Sequence, residues 1–109
     1  MNEILRYKRD SFECESEEYY FSGEILNHEK DLVITSLKAF ENLNINNLIN
    51  EQLTFLLRYY WDKYNIRINS IFAKKTSLEN IGLIEDLTFT LDYEFTPIHN
   101  REYQIKILD

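Results

Sequence analysis

The sequence predicts an α+β fold: an antiparallel β-sheet covered on one face by two amphipathic helices, in the order ββ–αα–βββ. Three observations lead there. The first third has strand composition, and the last part of the chain alternates apolar and polar residues at a period of two, the mark of strands with one wet face. The middle carries apolar residues at helical spacing. Strands with one polar face need a cover on the other, and two amphipathic helices supply it. With 109 residues, 44% of them apolar and 15% aromatic, the chain has material for one core, and residues 1–109 read as a single domain. A domain of this size buries roughly 65% of its unfolded surface and needs no disulfide or metal to fold.

The first elements are strands. Ile4 to Glu13 and Glu18 to Leu26 have strand composition, with Glu13-Cys14-Glu15-Ser16-Glu17 as the polar connection between them. Gly23 marks a bulge or an early turn in the second strand. Asn27 is placed to cap the first helix, with Glu29 and Asp31 in its opening turn. Val33, Leu37 and Phe40 then fall at i, i+4 and i+7, with Leu43 just off the row. Asn44-Ile45-Asn46-Asn47 breaks the pattern. In the second helix Ile49, Leu53, Leu56, Leu57, Tyr60 and Tyr64 form one stripe, and Asn65 suits a left-handed terminus. Phe55 lies opposite that stripe with Arg58 and Asp62, where the first helix or a loop is expected to cover it; the alternative is an exposed aromatic patch for a partner or a self-association contact. Strand periodicity returns with Ile66, Ile68, Ser70 and Phe72 in one row, followed by a turn over Thr76 to Gly82. Leu87, Phe89, Leu91, Tyr93 and Phe95 alternate with polar residues. Pro97-Ile98-His99-Asn100 is a turn, and Tyr103, Ile105 and Ile107 give a final strand.

The net charge is −7, and it is unevenly spread. Asp10 to Asp31 holds eight acids (Asp10, Glu13, Glu15, Glu17, Glu18, Glu24, Glu29 and Asp31) against the single base Lys30. Thr76 to Asn100 holds five acids and no base. An acidic stretch is usually a solvated surface; complementary charge also steers a basic partner onto it. If the strand carrying Glu24 lies near the one carrying Asp92 and Glu94, the acids merge into one face. Like charges directly opposite cost up to about 1 kcal/mol per pair, so such a face implies a use. Two strongly negative segments oppose phosphate binding, which disfavours nucleic acid even with Arg58, Lys63, Arg67, Lys74 and Lys75 lying amid aromatics. The longest apolar run is three residues, which predicts no membrane span.

The residues that would carry chemistry are sparse. Glu13, Glu15, Glu17 and Glu24 mimic the spacing of ligands in a calcium loop. Glu18 stands where that loop needs glycine, and the early ligands are not Asp or Asn, so no metal is assigned. His28 and His99 lack a cysteine partner or HxxxH spacing. Cys14 is the only cysteine; flanked by Glu13 and Glu15, it is a poor nucleophile and admits no intramolecular disulfide. Two glycines in the whole chain leave no phosphate-cradling loop. The sequence therefore assigns no catalytic residue and no cofactor.

A small, acidic, glycine-poor chain with the Glu13–Glu18 cluster and the acidic strand face of Asp92 and Glu94 resembles the small immunity proteins of bacterial toxin–immunity systems, such as barstar-like and contact-dependent-inhibition immunity proteins. That resemblance implies a stoichiometric, non-enzymatic inhibitor covering the basic groove of a toxin; the lone cysteine and the short apolar runs point to a cytoplasmic protein, expected as a monomer or weak homodimer. The surface it implies is Glu13, Glu15, Glu17, Glu18, Glu24, Asp92 and Glu94, with Tyr19 or Tyr20 as aromatic anchors. Two competing readings are an adaptor or self-assembling subunit, and a small enzyme with a dispersed site.

Overall fold

The computed structural model describes residues 3–39, 45–74, 88–90 and 102–108. They form seven strands and one helix: β1 (Ile4–Tyr7), β2 (Ser11–Glu15), β3 (Tyr19–Leu26), β4 (Asp31–Ala39), α1 (Ile45–Tyr64), β5 (Ser70–Lys74), β6 (Thr88–Thr90) and β7 (Glu102–Leu108). All seven strands join one sheet in the order β1-β2-β3-β4-β5-β7-β6.

The first four strands are an antiparallel meander. The segment Ile4 to Glu13, expected to be one strand, reverses at Arg9-Asp10, where the Lys8 N–H donates to the Ser11 carbonyl at 2.8 Å. Glu13 and Glu15 therefore lie in β2 rather than in a connection. The β2–β3 turn is built on Ser16, whose hydroxyl accepts from the N–H groups of Glu18 (3.1 Å) and Tyr19 (3.2 Å), the local side-chain bonding that makes serine a turn residue.

The main correction concerns the expected first helix. Asn27, His28 and Glu29 have φ of 55°, 57° and 66°, three consecutive left-handed residues that reverse the chain instead of starting a right-handed helix. The chain then enters β4, which pairs along its length with β3. Val33-Ile34-Thr35 is a β-branched run, and such residues fit a pleated surface better than a helix. The i, i+4, i+7 spacing of Val33, Leu37 and Phe40 is a chance match in a short apolar segment, of which only Val33 and Leu37 are described. The molecule thus has one helix among its described residues, not two.

The sheet is also mixed rather than antiparallel. β4 pairs β5 in parallel, β5 pairs β7 in parallel, and only β6 returns antiparallel against β7. Parallel neighbours need a long crossover, and between β4 and β5 the segment containing α1 makes it. The expected strand Leu87–Phe95 is described only as Thr88–Thr90. The turns expected over Thr76–Gly82 and Pro97–Asn100 lie outside the described residues.

The registers place Phe12, Cys14, Phe21, Ile25, Leu32, Ile34, Leu37, Ile71, Ala73 and Ile105 on one face of the sheet, each at most 5% exposed. α1 covers this face with the stripe legible in the sequence: Ile49, Leu53, Leu56, Leu57 and Tyr60 are 0–2% exposed, and Tyr64 packs against the cluster. Asn65, at φ 56°, ends the helix in the left-handed conformation. Its N–H still reaches the Trp61 carbonyl (3.0 Å), while that of Ile66 folds back to Tyr60 (3.1 Å). Ile66 and Ile68 are buried as expected, but the row slips after them, and Ile71 and Ala73 replace Ser70 and Phe72 in the core. At the slip, the N–H groups of Asn69 and Ser70 both bond the Lys30 carbonyl, at 2.7 and 3.3 Å. No helix among the described residues is long and apolar enough to cross a membrane.

Gly23 sits at a bulge, as its place in the sequence suggested. Ser22 opposes Ser36 and Gly23 opposes Ile34, which leaves Thr35 as an extra residue on β4. The extra residue restores the facing, so that Leu37 rather than Ser36 follows Ile34 into the core. A Cβ on Gly23 would lie 2.2 Å from the Val33 carbonyl oxygen and 2.5 Å from Phe12 Cζ. Gly23→Ala is expected to destabilise the fold by about 1–3 kcal/mol, the usual cost of overpacking; urea unfolding would show it as a lowered midpoint at unchanged slope.

Candidate functional site

Because directly opposed residues share a face, the register that buries Cys14 and Phe21 turns Glu13, Glu15, Tyr20 and Glu24 to the opposite side of the sheet. That outer face carries three cross-strand rows: Ile4–Glu15–Tyr20–Lys38, Arg6–Glu13–Ser22–Ser36 and Ser11–Glu24–Val33–Phe72–Lys106. The β1–β3 end of this face is acidic. Lys38, Lys74 and Lys106 lie on its β4–β7 end, where the Lys106 ammonium stands 5.7 Å from the centre of the Phe72 ring.

The acids are organised by two neighbours. The Tyr20 hydroxyl donates to Glu13 Oε2 at 2.8 Å. Arg6, from the edge strand β1, pairs with the other Glu13 oxygen and lies 3.6 Å from Glu15. Tyr20 foremost, then Arg6, holds the Glu13 carboxyl below the usual carboxylate range, and the hydrogen bond to Glu13 raises the Tyr20 phenol in turn. The pairs are solvent-exposed, so their contribution to stability is small. Their effect is to fix the direction of the carboxylates and to leave three acids against one guanidinium on this end of the sheet.

The remaining expected site residues do not all join this surface. Glu17 and Glu18 sit in the β2–β3 turn, at the acidic end of the face. Tyr19 is on the core side, 3% exposed, with its hydroxyl donating to the Glu3 carboxylate. Of the two expected anchors, only Tyr20 stands on the outer face. Asp92 and Glu94 lie outside the described residues. β6, the part of their strand that is described, pairs at the edge far from β3, about 19 Å across the sheet at the standard strand spacing, so the two strands are not neighbours. Among the described residues no group of three or more His, Cys, Asp or Glu side chains is placed to hold a metal ion. His28 is exposed in the left-handed turn, and His99 lies outside the described residues.

Cys14 is fully buried, with Sγ 3.7 Å from the Tyr7 hydroxyl. Burial, with smaller contributions from Glu3 and Glu13, pushes its thiol up to about 11. Desolvation thus outweighs the flanking glutamates that the sequence pointed to, because Glu13 and Glu15 face the other side of the sheet.

Two features escape sequence reasoning. Arg6 is the counter-ion of the acidic cluster, and the one signal for it is its alternation with Leu5 and Tyr7, which puts it on the opposite face of a strand from them. Phe55 was expected to be covered, yet it is 63% exposed, and Leu5 on β1 is 50% exposed. No sequence signal distinguishes a covered from an uncovered aromatic opposite a core stripe when the identity of the covering element is wrong.

Two titrations test these environments. Tyr20→Phe is expected to raise the Glu13 pKa toward the ordinary glutamate value, read by carboxyl NMR. A depressed carboxyl stabilises the fold above its unfolded pKa and loses that contribution as pH falls through the folded value, so the variant should also show a weaker pH dependence of stability on the acid side. For Cys14 the sign is opposite. Its folded-state contribution is fully present below the ordinary thiol range, where both states are protonated, and is lost as pH rises from that range toward about 11, so unfolding becomes easier there. Alkylation of the native protein at neutral pH should be far slower than of the unfolded chain, and the gap should close in strong alkali. Comparison with known proteins brings no relative to this surface: no family model, no curated protein and no solved structure matches the chain.

Proposed function

We propose that the protein is a non-enzymatic, cytoplasmic binding protein whose acidic sheet face docks on a basic protein surface, in the manner of an immunity protein that covers the substrate groove of a bacterial toxin. The observation that carries the reading is the gathering of Glu13, Glu15, Tyr20 and Glu24 on the face of the sheet opposite α1, with Glu17 and Glu18 at its rim. A sheet face is a rigid platform, and carboxylates held by Arg6 and Tyr20 lose little side-chain freedom on binding, which lowers the cost of association. Tyr20 supplies an amphipathic ring at the centre of the acids, the kind of residue on which interface energy concentrates. Charge of this sign speeds encounter with a cationic partner and repels anionic ones.

The position of Arg6 refines the surface. Glu13 is engaged internally, so Glu15, Glu17, Glu18 and Glu24 are the acids with most charge to offer. The partner that fits is a lysine- and arginine-rich groove, contacted through these four side chains and the Tyr20 ring.

The test pairs this chain with the product of a toxin-like reading frame adjacent to its gene. Titration calorimetry should give an affinity that falls steeply with added salt. Glu15→Lys combined with Glu24→Lys should weaken it by roughly 10-fold or more through lost steering and new repulsion, and Tyr20→Ala by at least about 30-fold if the ring is a hot spot. Unchanged affinity and unchanged salt dependence in the charge-reversed protein would refute the reading.

A further inference from the structure

We infer that β1 is a self-association edge, at which two copies of the chain pair β1 against β1, antiparallel, about a two-fold axis through Leu5 and perpendicular to the sheet. Among the described residues β1 has β2 as its only neighbour. The Lys8 N–H to Ser11 carbonyl bond sets the phase of the β1–β2 ladder. Bonded and non-bonded pairs alternate in an antiparallel ladder, so Arg6 with Glu13 and Ile4 with Glu15 are bonded pairs. The backbone N–H and C=O groups of Leu5 and Tyr7 are therefore directed away from β2, toward the open edge.

This phase restricts what can pair there. A second β1 must match outward-directed residues with outward-directed residues. A one-residue offset fails, because it would set Leu5 against Arg6, whose backbone groups are already spent on β2. Two-residue offsets keep the phase, but one sets Arg6 against a second Arg6, a like-charge pair, and the other shortens the paired stretch. The pairing about Leu5 sets Leu5 against Leu5, Tyr7 against Glu3 and Arg6 against Ile4, and keeps both helices on the same side of a continuous sheet.

The side chains at this edge are self-complementary. Leu5 and Phe55 are 50% and 63% exposed and line a common recess of about 150 Å³ with Glu3, Tyr7, Glu51 and Gln52. The two-fold brings the same apolar pair from each copy to the axis. α1 runs alongside β1 in the same direction: Gln52 Nε2 lies 3.3 Å from Glu3, the Tyr59 ring 4.8 Å from that of Tyr7, and the Tyr64 ring 5.5 Å from the Arg9 guanidinium. One end of the edge is accordingly acidic, with Glu3 and Glu51, and the other basic, with Lys8 and Lys63. An antiparallel two-fold lays the acidic end of each copy against the basic end of the other. Charge matching across such a contact fixes its register and partner. A wholly basic strand would meet Lys8 and Lys63 with no counter-charge, which favours a second copy as the occupant. An exposed edge bearing apolar residues is otherwise an aggregation hazard, and closed pairing removes it. The contact leaves the acidic outer face free, so it stands or falls independently of the proposed toxin partner.

Sedimentation equilibrium on the full chain is expected to show a reversible dimer. Leu5→Lys and Phe55→Lys should each raise its dissociation constant by about 30-fold or more, as hot-spot losses do, with unchanged far-UV circular dichroism. Leu26→Lys, at a residue 46% exposed on β3, should leave it unchanged. Leu5→Cys gives a direct test of register. Bonded antiparallel partners have Cα atoms about 5.5 Å apart, within disulfide range, and the native Cys14 is buried. Mild oxidation should yield a covalent dimer through residue 5. A wild-type chain that stays monomeric at millimolar concentration would overturn the inference. So would a dimer that survives Leu5→Lys, or a Leu5→Cys protein that does not cross-link.

Discussion

The structure depends on one contact, the seating of α1 lengthwise on the first two strands. Along this line the helix advances about 1.5 Å per residue and the strand about 3.3 Å, so Gln52 to Tyr64 on α1 keeps pace with Glu3 to Arg9. Tyr60 is the fixed point. Its side chain is fully buried, and its hydroxyl is held between the Lys8 carbonyl and the Ser11 carbonyl, 2.8 Å from the latter. One proton thus serves the two acceptors that close the β1–β2 hairpin. Five α1 side chains at 0–2% exposure contribute about 1.5–3 kcal/mol each, against about 0–1 kcal/mol for an exposed ion pair. Apolar cover of the sheet, rather than surface charge, holds this fold together.

That cover decides what the other face can be. With α1 on one side, the alternation along β2 and β3 commits Cys14 and Phe21 to the core and releases Glu13, Glu15, Tyr20 and Glu24 to the other side. The acids are consequently a property of a rigid surface, not of a loop. The face is not uniformly negative: Arg6 enters the acidic end from β1, and Lys38, Lys74 and Lys106 occupy the opposite end. A partner meeting this surface encounters a gradient of charge across the sheet, which selects an orientation as well as a sign.

The edge and the face are separable devices. The face presents side chains, and on the proposed reading its selectivity is electrostatic and salt-sensitive. The edge presents backbone groups with apolar side chains around them, and in the inferred dimer its selectivity comes from the phase of a hydrogen-bond ladder. Both derive from the β1–β2 hairpin, whose two strands are displayed at the margin of the sheet because β3, β4 and β5 continue in one direction only.

Local chemistry determined much of this protein without help from the rest of the chain. The α1 stripe from Ile49 to Tyr64, the left-handed end at Asn65, the bulge at Gly23 and the strand through Ile105 and Ile107 were legible because each rests on a period or a backbone preference carried by the residues themselves. Tertiary structure decided the remainder. The segment from Asn27 to Ala39 has apolar residues compatible with either period, and pairing with β3 and β5 chose strand. Parallel pairing of β4, β5 and β7 joins residues far apart in sequence, which no local pattern encodes. For the same reason the site was only half legible: composition picked out Glu13, Glu15, Glu24 and Tyr20, but not that Glu13 and Glu15 lie in a strand, that Tyr19 goes to the core, or that Arg6 arrives from a neighbouring strand. Those outcomes depend on which face the single helix covers, and that is settled by packing across the whole sheet.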